Sequence, residues 1–367
     1  MAQVSGGSVA IRMDQLSVGD LVDGDVLSKS STQLRINLGD GYIDTFTGTG
    51  FSFNSNNEPT SGTITGISET LNGNVAFAVT GLSTSATQFF SFVASNDSAG
   101  ALNLVFSGND DMQGTAQNDL LVGFAGHDNI FGGDGADSLD GGSGNDHLYG
   151  QSANGGNDGN DLIFGGDGAD YLQGNAGNDS LDGGAGSDRI QGGRDNDSIR
   201  GGTGNDSING NLGNDTIDGG AENDSLRGGQ GNDSILGGDG NDHIQGDLGA
   251  DSLSGGAGTD IFIFGGGSAV FAGSTADVVT DFQDGVDVLS IGYAPAAVLT
   301  GSAASFSAAA TSAQQLFDGH AGTSEVAAIK VGSDTYIFYS SNNGATADSA
   351  AQLTGIDNSA IAAADFV

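Results

Sequence analysis

The chain has 367 residues, with 47 acidic against eight basic ones, a net charge of −39 and no cysteine. That balance argues against nucleic acid as a partner and against an anionic membrane surface as a direct target, because no Lys/Arg cluster exists to meet either. Without thiols there are no disulfides and no thiolate metal sites, so a bound metal relies on oxygen ligands or on four dispersed histidines.

The first residues, MAQVSGGSVAIRMDQLSVGD, contain no basic-then-apolar leader, and no apolar run approaches the roughly 20 residues of a membrane span. Residues 1–111 are rich in Ser, Thr, Gly and β-branched side chains. Period-two alternation recurs in Leu34-Ile36-Leu38, Val75-Phe77-Val79 and Leu102-Leu104-Phe106, with turn signals at Gly39-Asp40-Gly41 and Asn72-Gly73-Asn74. These features predict a small all-β domain with a β-sandwich as the default architecture.

From Gly114 to Ile263 a nine-residue phrase, GGxGxDxUx with U apolar, repeats sixteen times. Its sixth position is Asp119, Asp128, Asp137, Asp146, Asp161, Asp170, Asp179, Asp188, Asp197, Asp206, Asp215, Asp224, Asp233, Asp242, Asp251 and Asp260. Five residues before each aspartate stands a glycine, and two after it an aliphatic side chain, replaced only at the end by Phe262. Most of the 67 glycines fall in this register, which predicts order where scattered glycine would predict disorder. Such a period marks a parallel β-roll whose turns bind Ca²⁺. One irregularity, around Gln151 to Gly155, spaces Asp146 and Asp161 by fifteen residues, and its six extra residues are expected to loop out without changing the face of later strands.

The unit Gly201-Gly202-Thr203-Gly204-Asn205-Asp206-Ser207-Ile208-Asn209 shows why the chemistry needs these residues. Ser207 to Asn209 make a short strand with Ile208 inward, while the glycines permit a tight turn whose carbonyl oxygens face one point. Asp206 adds a carboxylate, and Ca²⁺ takes six to eight oxygens. Two nonapeptides make a coil, so residue i stacks on i+18 and an ion is shared between repeats n and n+2, giving roughly 10–14 Ca²⁺ ions. Eight coils at about 4.8 Å per layer reach roughly 38 Å. The alternative, aspartates that only solvate a repetitive surface, does not account for glycine, carboxylate and aliphatic side chain at fixed offsets. At the fourth position Gln117, Asp195 and Glu222 replace glycine, which predicts strained turns there.

His127, His147 and His243 fall on variable positions and read as solvated. Phe131 and Tyr149, eighteen apart at the outward ninth position, are expected to stack and to pack against the N-terminal domain. After the repeats, residues 265–367 form an expected cap: Asp277 to Ile291 resume ordinary patterning, Ser302 to Phe317 read as a helix, and Ala328-Val331 and Thr335-Tyr339 read as a hairpin about Gly332-Ser333-Asp334. No HExxH, no GxSxG and no thiol nucleophile is present, and Gly150-Gln151-Ser152-Ala153-Asn154 lacks the last glycine of a serine elbow.

Residues 112–367 resemble the RTX family of secreted calcium-binding proteins through these repeats. The segment Asp277 to Ile291, the Tyr336 strand, Asp348 with Gln352-Leu353-Thr354-Gly355, and Ala364-Asp365-Phe366-Val367 resemble the C-terminal region of serralysin-type members. The resemblance implies an uncleaved C-terminal signal at Asp365-Phe366-Val367, read by the type I secretion machinery of a Gram-negative bacterium, and folding outside the cell where calcium is available. Protease activity does not carry over, since the N-terminal region lacks the zinc-binding helix.

The expected domains are therefore 1–111, an N-terminal all-β domain; 112–264, the parallel β-roll; and 265–367, a cap with the secretion signal. The expected function is that of a non-enzymatic, secreted calcium-binding structural protein that self-associates into a surface layer or matrix. An alternative is an adhesin whose first domain binds a cell-surface glycan, with the roll as export aid and spacer. A hydrolase in residues 1–111 would need a carboxylate cluster, and Asp14, Asp20, Asp23, Asp25, Asp40 and Asp44 read instead as turn residues.

Overall fold

The computed structural model describes residues 3–6, 25–30, 33–39, 42–53, 59–71, 74–85, 107–151, 158–264, 276–293, 295–319, 325–339 and 349–367. The chain is nearly all β, and its contacts divide it into two units, Met1–Ser180 and Leu181–Val367, which are taken in turn.

In the first unit the strands Asp25–Lys29, Gln33–Gly39, Tyr42–Phe53, Pro59–Leu71 and Asn74–Ser85 form an antiparallel meander. The expected reversals fall where Gly39 faces Tyr42 and Leu71 faces Asn74. The strand Gln3–Gly6 pairs antiparallel with Asn74–Ser85 and parallel with Asp111–Gln113, so this sheet runs into the first strand of the repeats. A second sheet facing it, as a sandwich requires, is not present among the described residues of 1–111. Alternation in sequence fixes which residues share a strand face, but not whether a sheet folds over on itself. Leu102, Leu104 and Phe106, and Asp14, Asp20, Asp23 and Asp40, lie outside the described residues.

Within the repeats of this unit the chain alternates between two parallel sheets. Asp111–Gln113, Asn129–Gly133, His147–Gln151 and Tyr171–Ala176 form one, and Leu120–Val122, Ser138–Ser143 and Leu162–Asp167 the other. Every second residue of a strand points between the sheets, and this puts Met112, Leu121, Ile130, Leu139, Leu148, Ile163 and Leu172 at 0–1% exposure. Across the insertion Leu139 pairs with Ile163, a step of 24 residues, and Leu121 with Leu139, a step of 18. The added residues therefore leave the inward face unchanged, as expected; residues 152–157 lie outside the described residues.

In the second unit the same alternation continues. One sheet holds Arg189–Arg194, Ser207–Leu212, Ser225–Gln230, His243–Leu248 and Ile261–Ile263; the other holds Ser198–Thr203, Thr216–Ala221, Ser234–Asp239 and Ser252–Ala257. Neither sheet stops at the last repeat. Phe262 pairs with Leu289 and Leu253 with Val279, so two short strands, Asp277–Val279 and Val288–Ser290, cover the final aliphatic layer.

Beyond them the order is Asp277–Val279, Ser349–Leu353, Asp334–Tyr339, Glu325–Val331, Ala297–Ala303. The hairpin about Gly332 forms as read, with Val331 opposite Asp334. The helix, α1 (Phe306–Gly319), begins four residues later than expected. Ser302 and Ala303 stay in the preceding strand, paired with Lys330 and Val331, and the Ser305 hydroxyl accepts the Ala308 N–H to start the helix. Ala309, Ala313 and Phe317 of α1 pack on Ile329 and Phe338. At the C-terminus Phe366 bridges to Leu289, the Val367 N–H donates to the Leu289 carbonyl, and the buried Asp365 carboxylate accepts the Ala362 N–H.

Candidate metal centre

A strand that turns every nine residues brings the sixth position of each repeat onto the sixth position one coil away. All sixteen repeat aspartates are at most 3% exposed, which for a carboxylate is costly unless a partner compensates. Part of the compensation is a hydrogen-bonded column. The backbone N–H of Asp188 donates to Oδ1 of Asp206, that of Asp206 to Asp224, that of Asp224 to Asp242 and that of Asp242 to Asp260, each at 2.8–2.9 Å. On the other side Asp197 donates to Asp215, Asp215 to Asp233 and Asp233 to Asp251. In the first unit the steps are Asp119 to Asp137, Asp137 to Asp161 and Asp161 to Asp179, and Asp128 to Asp146 and Asp146 to Asp170.

The second carboxylate oxygen behaves differently. Oδ2 of Asp128, Asp137, Asp146, Asp161, Asp206, Asp215, Asp224, Asp233, Asp242 and Asp260 is buried and accepts no hydrogen bond. It lies against the first glycine of its own repeat, except for Asp161, whose Oδ2 lies against Gly150 on the far side of the insertion. A methyl group on Gly141 would sit 2.6 Å from Asp146 Oδ2 and 2.6 Å from the carbonyl oxygen of Gly165, one coil on. On Gly183 it would sit 2.5 Å from Asp188 Oδ2 and 2.6 Å from the Gly201 carbonyl oxygen. Carboxylate and main-chain oxygens from two coils thus converge on a space that only glycine leaves open. Among the described residues no three acidic or histidine side chains cluster, so a hard-cation shell here is largely main-chain carbonyl, completed by carboxylates.

Burial has an electrostatic consequence. It pushes the Asp128, Asp137, Asp224 and Asp233 carboxyls up to about 7, Asp161 to about 8, and Asp206 and Asp260 to about 6, with neighbouring aspartates adding to the effect. Stacked, dehydrated carboxylates with an oxygen left over are a donor set that a divalent cation neutralises, and the residues present fit calcium.

The aspartate columns extend past the sixteen repeats. Asp110 N–H donates to Asp128 Oδ1, Asp251 N–H to Asp277 Oδ1, and Asp260 N–H to Asp287 Oδ1. Sequence reading missed all three, although each carries a signal. Asp110 stands nine residues before Asp119, and Met112, Val279 and Leu289 occupy the aliphatic place two residues on. Asp281 adds an anchor, taking the Ser254 hydroxyl and the Gly255 and Gly256 N–H groups.

A second ladder runs along the fifth position, which the nonapeptide phrase leaves open but asparagine fills in ten of the sixteen repeats. Asn196 Oδ1 accepts from Asn214 N–H and Asn214 Oδ1 from Asn232; Asn205, Asn223 and Asn241 form a matching column. His127 belongs to this ladder, its Nδ1 accepting the Asn145 N–H at 2.7 Å, while its side chain, like those of His147 and His243, stays exposed. The turn departures divide. Asp195 and Glu222 take left-handed φ of 72° and 75°, as the missing glycine predicts, and Gln117 does not. Phe131 and Tyr149 stack, with ring centroids 4.7 Å apart and planes at 6°, and Tyr171 continues the row at 5.6 Å.

Fold and carboxylate columns together define a parallel β-roll with stacked sites for a hard divalent cation. Residues 105–270 are RTX calcium-binding nonapeptide repeats: the family described as RTX calcium-binding nonapeptide repeat (4 copies) matches 105–139, 122–154, 155–190, 182–217, 191–226, 209–244, 218–253 and 236–270. Such repeats bind Ca²⁺, several ions per array, and are typical of secreted proteins. Among solved structures, the solution structure of the AlgE6R3 subunit from the Azotobacter vinelandii mannuronan C5-epimerase is similar at 24% identity, covering 42% of this chain and 77% of that one, with a TM-score of 0.30. No curated protein matches the chain.

Proposed function

We propose that this chain is a secreted, non-catalytic structural protein that folds on calcium outside a Gram-negative cell and assembles there into a surface layer or matrix. The sixteen repeat aspartates, Asp119 through Asp260, supply its carboxylate ligands, with main-chain carbonyls of the turns completing the shell. The observation that carries this reading is the pair of buried carboxylate columns in which ten aspartates, among them Asp146, Asp206, Asp224 and Asp242, keep a buried Oδ2 that accepts no hydrogen bond. A site made of two coils does not exist in the unfolded chain, so calcium binds the roll alone and its binding free energy is folding free energy. Export in the unfolded state, through a type I system that reads Asp365-Phe366-Val367, fits a protein that folds only where calcium is abundant. Absence of enzyme motifs and a net charge of −39 suit a calcium-linked scaffold better than a catalyst.

The test is light scattering with negative-stain imaging on full-length protein refolded from EDTA, with Ca²⁺ against a Mg²⁺ control. Sheets or filaments that form with Ca²⁺ and dissolve with chelator are the expected result. A folded protein that stays monomeric at high concentration in Ca²⁺ overturns the assembly reading and moves the function to ligand binding by residues 1–111.

A further inference from the structure

The eight basic residues of this acidic chain are not spread evenly: Arg189, Arg194, Arg200 and Arg227 lie within 39 residues of one another. Strand register sorts them onto faces. In the second unit Gln191, Asn209, Arg227 and Gln245 form one outward row, Arg194, Leu212, Gln230 and Leu248 another, and Arg189 begins the row continued by Ser207, Ser225 and His243. All these residues stand on one sheet. Its outer face therefore carries three arginines, with one carboxylate, Asp247, held by Arg227. Two adjoining shallow grooves of about 340 and 170 Å³ run across it and share Asn209 and Arg227. Leu212 and Leu248 flank the larger one at 42% and 49% exposure.

The other sheet of the same unit presents the opposite pattern. Its outward rows are Arg200, Asp218, Leu236 and Ser254, and Thr203, Ala221, Asp239 and Ala257. Asp182 lies 4.0 Å from Arg200 and occupies that arginine's charge, leaving Asp218 and Asp239 to set the sign of the face. Leu236, 42% exposed, is paired with Asp218 and shares its strand with Asp239. One face is thus basic with exposed leucines, and the other is acidic with an exposed leucine.

We infer that the arginine-bearing face of the roll at residues 189–248 is a docking surface for the Asp218/Asp239 face of a second copy of this chain. The inference rests on the assembly reading above and gives it a contact. Charge complementarity selects this partner, since a like pairing would oppose arginines to arginines or aspartates to aspartates. Both faces also repeat at the same coil spacing of about 4.8 Å, so rows of side chains on one copy meet rows of equal pitch on the next. A contact between two different faces does not close on itself, and each added copy presents a fresh basic or acidic face for the next. Calcium enters indirectly, because neutralising the buried aspartates removes the charge that would hold two acidic rolls apart.

The experiment uses full-length protein in Ca²⁺, followed by light scattering and imaging. Arg189→Glu/Arg227→Glu is expected to stay monomeric under conditions where the parent chain assembles, with an unchanged calcium-dependent melting temperature as the check on folding. Asp218→Lys/Asp239→Lys is expected to stay monomeric too, and an equimolar mixture of the two variants to co-assemble. Because the chain lacks cysteine, Asn209→Cys and Asp218→Cys give a second readout. Mixed, they are expected to oxidise to heterodimers, and neither alone to homodimers. Parent protein that assembles while the Arg variant assembles equally well, or crosslinks of Asn209→Cys to itself, overturns the docking surface and leaves the assembly reading standing. Parent protein that stays monomeric throughout overturns both. Binding of polygalacturonate to monomeric parent protein, lost in the Arg variant, assigns the face to an acidic glycan and overturns the inference.

Discussion

Asp206 accepts the backbone N–H of Asp188, one coil earlier, on Oδ1 at 2.8 Å, and turns Oδ2 toward the first glycine of its own repeat, where that oxygen is buried and accepts nothing. One carboxylate oxygen therefore serves the fold and the other the cation, and the two roles separate by mutation.

Asp206→Asn keeps an Oδ1 acceptor at the same size and removes the charge. With calcium present it should lower the stability of the folded chain by roughly 2–4 kcal/mol, since an ion held at a hundredfold its dissociation constant contributes about 2.7 kcal/mol. In EDTA at about pH 5, where the metal-free roll is folded and the Asp206 carboxyl, raised to about 6, is already protonated, the loss should largely vanish. Denaturant unfolding in both conditions checks this, and equal losses in both would assign Asp206 to the fold alone.

Gly201 and Gly202 are neighbours with different duties. A methyl on Gly201 meets Asp206 Oδ2 and the Gly219 carbonyl oxygen, whereas Gly202 holds a φ of 113°. Gly202→Ala should cost about 1–3 kcal/mol from backbone strain, both in calcium at neutral pH and in EDTA at about pH 4. Gly201→Ala should reduce the number of ions bound, which native mass spectrometry counts directly.

Asp195 and Glu222 sit at left-handed positions that glycine fills elsewhere. Asp195→Gly should stabilise the calcium form by about 1 kcal/mol in thermal melts. Glu222→Gly should gain less, because it also gives up the hydrogen bond from Gly204 N–H to the Glu222 carboxylate at 2.7 Å.

The carboxyls of Asp206, Asp224 and Asp161, raised by burial to about 6, 7 and 8, set a pH window. In the metal-free roll these groups hold protons that the unfolded chain, with ordinary carboxyl values near 3.8, has released. Stability from this source is complete below the unfolded value and is lost as pH rises through 6 to 8. Circular dichroism in EDTA should show the β signal at about pH 4 and its loss toward pH 8, while excess Ca²⁺ should preserve it throughout. Apparent calcium affinity should rise over the same interval as proton competition ends.

The roll was legible because its period fixes everything that matters locally: aspartate, glycine and aliphatic residue recur at constant offsets, and Ile208 or Leu226 had no face to occupy but the interior. Asp110, Asp277 and Asp287 escaped because they lack the first glycine of the phrase and each keeps only one of its glycines, Gly108, Gly273 and Gly285, beside the Asp-x-aliphatic remnant. The asparagine column escaped because the nonapeptide phrase leaves its fifth position open, although asparagine fills it in ten of the sixteen repeats and the 18-residue stacking brings these side chains together. In the cap, the pairing of Ser349–Leu353 with Asp277–Val279 depends on a return of more than seventy residues, which alternation does not encode. The helix start at Phe306 was misplaced because alanine and serine suit both the end of a strand and the first turn of a helix.

The most direct test of the central claim is a calcium titration of the full-length chain from EDTA at pH 7.5, following β structure by circular dichroism and counting retained ions by elemental analysis after gel filtration. Calcium stacked between coils predicts an unfolded repeat region in chelator, a cooperative transition with Ca²⁺ but not Mg²⁺, and on the order of ten ions retained per chain. The same β signal in EDTA as in Ca²⁺, or retention of only one or two ions, would contradict it.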